Sequence, residues 1–335
     1  MLDSDESSSA PIFVVGASRS GTTLLRLMLN AHPSIAIPDE LSYFSLVGTL
    51  PTPWNAPLDA GRYVKLVDGF LDQNEPVLTG VDRAALRRAM LTHPAHTIRT
   101  PYAVALDHWA TAQSKPIWGE KTPHNFFFVP ELHEMFPSAR FIHLVRDPRA
   151  AVHSMNGFKR CVSNTVINAT NWRTFMQQGA AVLEATVPAH QRITIRFEDL
   201  TSNPDFVLQQ LCSFLDISFH SDMLSFHETS HQYMHPVFEK LGGAQTVTRP
   251  VNTDTKARWT TEMAPADIAT VEHICGPWLP IFSYERRTDP LSWTERLRRA
   301  PDMAYCALKR WQHRDARVHL MHYNVPWAPA KIPKM

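Results

Sequence analysis

Three observations predict an α/β fold with a central parallel sheet. Short β-branched and aromatic runs stand at 12–15, 141–145 and 192–196. Each run is followed by a turn or a short polar connection. Each connection then opens a stretch with apolar residues at helical spacing. Strand, connection and helix, repeated in that order, build a parallel sheet covered by helices.

The first unit is IFVV (12–15), a Gly/Ser-rich turn, and a helix over 22–30 with Leu24, Leu25, Met28 and Leu29 at helical spacing. Residues 50–115 read as mostly helical and punctuated by proline. The second unit is FIHLV (141–145), then Arg146, Asp147 and Pro148, then a helix from 149 to about 158. Asp147 and Pro148 suit the cap and the first helical position. The third is RITIR (192–196), after which Asn203 and Pro204 open a helix to Leu215. The expected organisation is a solvated tail at 1–10, one α/β domain at 11–289 with a helical insertion at 50–115, and a basic helical extension at 290–335.

Composition narrows the classes. Of 335 residues, 44% are hydrophobic, enough for a large core. No run approaches the roughly 18 apolar residues of a membrane-spanning helix, and the first apolar run is too short for a signal peptide. The four cysteines (Cys161, Cys212, Cys275, Cys306) are far apart, which fits a reducing, cytoplasmic setting. They and the 17 histidines show no metal-ligand spacing, so no metal is expected. Net charge is +1, which argues against a nucleic-acid partner. The charge is unevenly spread, however. From Arg286 onward eleven Lys/Arg face four Asp/Glu, a local +7 that leaves −6 for the rest.

Residues 16–23 (GASRSGTT) keep the glycine spacing and strand-to-helix context of a triphosphate loop, but Thr22 stands where that loop has lysine. The loop amides and helix start still form an anion cradle, to which Arg19, Ser20, Gly21, Thr22 and Thr23 contribute. Arg146, directly after the second strand, and Ser154, two turns into its helix, suit a second phosphate. The competing readings are a tight structural turn for the loop and a surface ion pair with Asp147 or Glu198 for Arg146. Two phosphate sites, neither built for a triphosphate, point to a nucleotide phosphorylated at two separate places.

On these residues the chain resembles the sulfotransferases that use 3′-phosphoadenosine 5′-phosphosulfate (PAPS). Residues 16–25 resemble their 5′-phosphosulfate loop, and FIHLVRDPRAAVHS (141–154) their 3′-phosphate motif, with Arg146 and Ser154 in the phosphate-binding places. WGEKTP (118–123) and IRFEDL (195–200) also match, and the likeness spans about 12–259. Ala31, His32, Pro33 and Glu40 fall at the spacing of the protein-tyrosine branch. RPVN (249–252) with Arg258 and Trp259 resembles that branch's late nucleotide-binding stretch.

The resemblance implies a P-loop-like three-layer fold, PAPS as donor, its bisphosphate (PAP) as product, and a hydroxyl acceptor of open class. It implies Arg19 and Lys121 beside the transferred group and Glu40 as base, with His124 as the rival base. Each has a plainer reading: Lys121 as a surface lysine paired with Glu120, and Glu40 near a helix start capped by Asp39. Phe197 stands where the branch has tyrosine, Ala244 where it has serine, and Arg258 where it has lysine. A nucleotide kinase or triphosphate hydrolase with a degenerate loop, or a non-catalytic nucleotide-binding protein, is the alternative.

In the extension, Met303, Ala304, Ala307, Leu308 and Trp311 form an apolar stripe, with Lys309, Arg310, Arg314 and Arg317 elsewhere on the helix. Such a helix can lie on an anionic membrane or grip an acidic acceptor. The favoured expectation is docking on the body through the stripe. The apolar run 318–327 supports docking or a subunit contact.

Overall fold

Alternating residues of the central strand enter two different cores, and this divides the molecule into three layers. The computed structural model describes residues 10–47, 53–74, 77–78, 80–159, 161–233, 247–251 and 257–312. Its strands are β1 (Ile12–Val15), β2 (Ile35–Ala36), β3 (Ile117–Glu120), β4 (Arg140–Val145) and β5 (Arg192–Arg196). They form one parallel sheet in the order β2-β3-β1-β4-β5. Phe13 and Val15, with Phe141 and Val145, pack into one core, while Ile12 and Val14, with Ile142 and Leu144, pack into the other. The period of two along a strand makes this partition. Burial on both faces explains why β1 (IFVV) is apolar throughout and β4 nearly so.

One face is covered by α1 (Thr22–Asn30), through Leu24, Leu25 and Met28 among others. Helices α2 (Tyr43–Val47), α3 (Ala60–Asn74), α4 (Arg83–Thr92) and α5 (Arg99–Ala112) contribute to the opposite core. That core also takes in α6 (Val129–Met135), α7 (Pro148–Asn156), α8 (Thr165–Phe175) and α9 (Ala181–Thr186). Helices α10 (Phe197–Ser202) and α11 (Pro204–Phe214) return to the first face through Leu200, Val207, Leu208 and Leu211. Two strands escape the sequence reading. β2 has only two residues, and β3 (IWGE) mixes a glycine and a carboxylate into a buried strand. Gly119 is there because a Cβ would lie 2.8 Å from the Ile12 carbonyl.

Helices α12 (Trp259–Glu262), α13 (Pro265–Cys275) and α14 (Trp293–Gln312) complete the described chain. The docking of α14 corrects the expectation from its stripe. Cys306 is buried and Met303 packs on the main core. Asp302 accepts from Asn164 (3.0 Å), and Arg299 donates to Asp267 of α13 (2.7 Å). Ala304, Ala307, Leu308 and Trp311 are exposed instead. The helix is held by its mixed polar face, and most of the stripe points to water. Residues 1–9 of the expected tail at 1–10, and Arg314, Arg317 and 318–327 of the extension, lie outside the described residues.

The base of α7 is locked from both sides. Asp147 caps it, accepting from the Arg149 amide at 2.9 Å, and takes the Arg149 guanidinium as well (2.9 and 2.7 Å). The same guanidinium reaches Glu272 of α13 at 2.5 Å and lies 4.2 Å from the Trp259 ring centroid. Arg149 and Glu272 are both buried. Replacing Arg149 by methionine takes the bonded cation from buried Asp147 and Glu272 and leaves Glu272 with the neutral donors of Arg287 and Thr288, which costs about 3–5 kcal/mol. Urea unfolding of Arg149→Met should show a loss of that size. A loss near the ~0.5 kcal/mol of a surface position would show that the clamp does not hold α7.

Candidate functional site

In a parallel sheet the carboxyl ends of the strands share one edge, and the connections leaving them meet there. β1 leads into the glycine loop, β3 into Lys121, β4 into Arg146, and β5 into Phe197. The loop path requires glycine at two points. At Gly16 (φ +155°) a Cβ would lie 2.4 Å from the Leu144 carbonyl. At Gly21 (φ +93°) it would lie 2.3 Å from the Phe197 ring. Arg19 between them also has positive φ, 67°, an uncommon setting for a residue with a side chain.

That backbone turn sets the loop's contacts. The Arg19 carbonyl accepts from the Arg146 guanidinium (3.1 Å), and Arg19 Nε donates to Ser154 Oγ (3.1 Å). The Arg19 guanidinium also lies 4.3 Å from the Phe158 ring centroid. Burial lowers its pKa, opposed by the charges of Cys161 and Glu40. Gly21 caps α1 without a side-chain bond, so the helix start is open to an anion. Ser20 is fully buried, and its hydroxyl oxygen has no hydrogen-bond partner among the described residues. An orphaned hydroxyl and an open helix start beside two arginines fit a bound phosphate or sulfate group.

Arg146 is not the surface ion pair of the plainer reading. It is buried, and its guanidinium lies 4.5 Å from the Phe197 ring centroid. Asp147 engages Arg149, while Glu198 accepts from the Asp147 amide (3.0 Å) and the Tyr284 hydroxyl (2.8 Å). Burial pulls the Arg146 pKa down to about 10, against the pull of Glu198. Phe197 therefore has a definite place: one ring packs on Gly21 and supports Arg146 through its π face.

Lys121 and Glu40 come together. Lys121 is 1% exposed, and its Nζ is 2.5 Å from Glu40 Oε1, 3.5 Å from Thr23 Oγ1 and 3.9 Å from Asp39 Oδ1. The surface pairing with Glu120 is overturned, because successive residues leave a strand end in opposite directions. Glu120 turns into the core, where it accepts from Thr122 Oγ1 (2.5 Å) and Asn125 Nδ2. The helix-start reading of Glu40 is corrected too. α2 begins at Tyr43, and Asp39 caps no helix but accepts from the Glu40 amide and pairs with Arg26 at 3.7 Å. Glu40 itself is exposed and open to an acceptor.

Glu120 is the functional neighbour the sequence reading missed. Its carboxylate and the Thr122 hydroxyl bind the backbone of Leu41, the residue after Glu40. The signal was its place inside a strand, next to a candidate catalytic lysine. His124 lies in the next turn, its ring against Phe175 (5.7 Å) and Phe127 (6.3 Å). Arg258 is exposed and paired with Glu262 (2.8 Å), which also takes His153 (2.9 Å), the residue before Ser154. Thr22 is buried in the first turn of α1. Ala244 and Asn252 lie outside the described residues. No group of three or more His, Cys, Asp or Glu suited to a metal occurs among the described residues.

Comparison with known proteins bears on the family and the fold. Residues 11–221 match the Sulfotransferase family. The chain is 25% identical to protein-tyrosine sulfotransferase 1 of Danio rerio, across 87% of this chain and 79% of that protein. The sulfotransferase domain of the Synechococcus PCC 7002 olefin synthase superposes with a TM-score of 0.56 at 22% identity, covering 83% of this chain and 96% of the domain. The sulfotransferase domain from the curacin biosynthetic pathway gives 0.54 at 21%, covering 83% and 99%. The two domains have the same fold.

Burial raises the Glu120 carboxyl from its ordinary 4.5 to about 7. The folded protein then holds a proton that the unfolded chain has released. The stability this contributes is complete below about 4.5 and is lost as pH rises through about 7. The unfolding free energy should fall across that window by about 3 kcal/mol more than in Glu120→Gln, which keeps a neutral side chain. Parallel pH curves for the two proteins would show that Glu120 does not titrate there.

Proposed function

The chain belongs to the sulfotransferase family, which makes it a sulfuryl-transferring enzyme with a hydroxyl acceptor, and we propose that PAPS is its donor and Glu40 its base. One observation carries the reading: Arg19, Lys121 and Arg146 converge from three adjacent strand ends, with Glu40 against Lys121. Bound PAPS supplies an activated sulfuryl group on a bisphosphate that departs as PAP. The loop amides with Ser20, Gly21, Thr22 and Thr23 would hold the 5′ side, and Arg146 with Ser154 the 3′-phosphate. Arg258 is a further candidate for the phosphates if it exchanges Glu262 for them.

Positioning and charge stabilisation dominate such a transfer. Arg19 and Lys121 flank the reacting group, and Lys121 faces the bridging oxygen as it gains charge. Glu40 receives the acceptor's proton as its oxygen bonds to sulfur and the bond from sulfur to the phosphate oxygen breaks. The ion pair holds the Glu40 carboxylate at the mouth of the site, beside the cation that serves the leaving group.

No metal takes part in this proposal. A kinase or triphosphate hydrolase is not favoured, because Thr22 stands in the lysine position of the loop. The acceptor class stays open among sugar, lipid, phenol, small alcohol and tyrosine peptide, and the similarity to protein-tyrosine sulfotransferases puts a tyrosine peptide first for testing. Helices of the 50–115 stretch are proposed to shape its pocket. The reducing setting is kept as a proposal that rests on four cysteines standing far apart in the sequence and joined by no disulfide.

Adenosine 3′,5′-bisphosphate should bind far more tightly than AMP, because only it offers the 3′-phosphate to Arg146 and Ser154. In calorimetry, Arg146→Ala should lose about 2–4 kcal/mol of bisphosphate affinity. Equal affinity for AMP and the bisphosphate would remove the donor assignment.

Glu40→Gln should lower kcat by about 10²–10⁴-fold while leaving bisphosphate binding nearly intact. The assay uses PAPS, a panel of hydroxyl acceptors, and EDTA throughout. A fall below about tenfold takes the base role away from Glu40. If His124→Ala abolishes turnover instead, the histidine is the base.

A further inference from the structure

Helix α14 turns its apolar face away from the protein. Trp293, Leu297, Ala300, Ala304, Leu308 and Trp311 follow one another at steps of three and four residues, which places them on a single stripe. All six are exposed; Trp293, Leu297, Leu308 and Trp311 are 75%, 68%, 51% and 63% exposed. The opposite face is the one that docks, through Cys306, Asp302 and Arg299. A stripe this long, about 27 Å from end to end, is not the scattered exposure of an ordinary surface.

The charges of the helix identify what covers it. Both of its acids are engaged on the docking side: Asp302 with Asn164, and Glu295 with Arg299 at 3.9 Å and Arg298 at 3.6 Å. At about 100° per residue, Arg296 lies about 40° beyond one edge of the stripe, while Arg298 and Lys309 lie about 80–100° beyond the other, on the flank that leads to the docking face. A second copy is a poor occupant. Two such helices packed face to face bring together two net-positive surfaces with no acid beside either stripe, since Glu295 and Asp302 both lie on the docking side. A surface that is apolar below and anionic above satisfies both parts of the helix at once. Tryptophan at each end of the stripe suits the boundary between headgroups and acyl chains.

We propose that α14 is a membrane-surface helix that lays its Trp293-to-Trp311 stripe into the interface of an anionic lipid bilayer, with Arg296 and Arg298 reaching the headgroups from its two flanks. The helix lies on the bilayer and does not span it: no described helix is long and apolar enough to cross a membrane. The net +7 from Arg286 onward acts in the same direction.

The test uses the full chain with vesicles of phosphatidylcholine and phosphatidylglycerol, against vesicles of phosphatidylcholine alone. Co-sedimentation should favour the anionic vesicles and weaken with added salt. Leu297→Glu with Leu308→Glu should reduce partitioning at least about tenfold. Arg296→Glu with Arg298→Glu should cost about fivefold or more for each residue. Circular dichroism and bisphosphate affinity should stay unchanged in both pairs, since neither touches the site. Equal partitioning of the wild-type chain to both vesicle types overturns the proposal, as does a leucine pair that still binds. A wild-type dimer in light scattering that ignores vesicles and is dissolved by the leucine pair also overturns it, in favour of a second copy. Capture by an acidic protein with no affinity for vesicles overturns it equally.

Discussion

Three cations gathered at one sheet edge repel one another, and most of the site's structure is an answer to that repulsion. Arg19, Arg146 and Lys121 are brought there by the carboxyl ends of adjacent strands. Burial removes the water that would screen them. Two different solutions appear. Lys121 is compensated by carboxylates, Glu40 closely and Asp39 at longer range. The two arginines rest on aromatic faces and neutral oxygens: Phe158 and Ser154 for Arg19, Phe197 and the Arg19 carbonyl for Arg146. The first solution leaves a carboxylate where proton transfer is needed. The second gives the arginines neutral neighbours, with Glu198 also pulling on Arg146.

The cost of holding positive charge in this way is met by rigid surroundings. Arg19 keeps a positive φ because Gly16 and Gly21 fix the loop on either side. Phe197 supports Arg146 and at the same time fills the space that a side chain at position 21 would take. Arg149 clamps the start of α7 to α13, and that places Ser154 two turns later. Glu120 and Thr122 grip the backbone beside Glu40 from within the core. Each support is a bond or packing contact made outside the charged cluster itself.

The legible parts of the sequence were those with local signals. β1, β5 and α1 stand where the apolar runs place them. The loop, Arg146 and Ser154 meet as the strand–turn–helix units require. β2 and β3 were hidden because a two-residue strand has no period and IWGE does not look apolar. The charge partners were hidden for another reason. Glu120 and Lys121 are adjacent in sequence and point to opposite sides. Glu40 meets Lys121 across 81 positions. Asp39 looked like a cap because proline and acids precede a helix, yet the helix starts four residues later, and Asp39 serves Arg26 and Lys121 instead. Periodicity describes a backbone, whereas an ion pair is set by which way each side chain leaves it.

The C-terminal helix makes the same point for packing. Its stripe has the spacing of a core-facing surface, and on pattern alone it should be the docking side. The pattern, however, specifies only that apolar residues share a face; it carries no information about which body that face meets. On this helix the protein is already held by one buried thiol, one buried-edge methionine and a few polar bonds, which leaves the apolar face available. An apolar face flanked by arginines that among the described residues hold only Glu295 at 3.6 Å (Arg298) and the Leu291 carbonyl (Arg296) is a poor match for the protein's own interior, where each guanidinium would need a close partner such as Asp147 or Glu272 gives Arg149. It is a good match for an interface that supplies hydrocarbon and negative charge at fixed depths. The decisive feature is therefore the sign of the charges on the helix's exposed flanks, since apolar spacing alone is common to both environments.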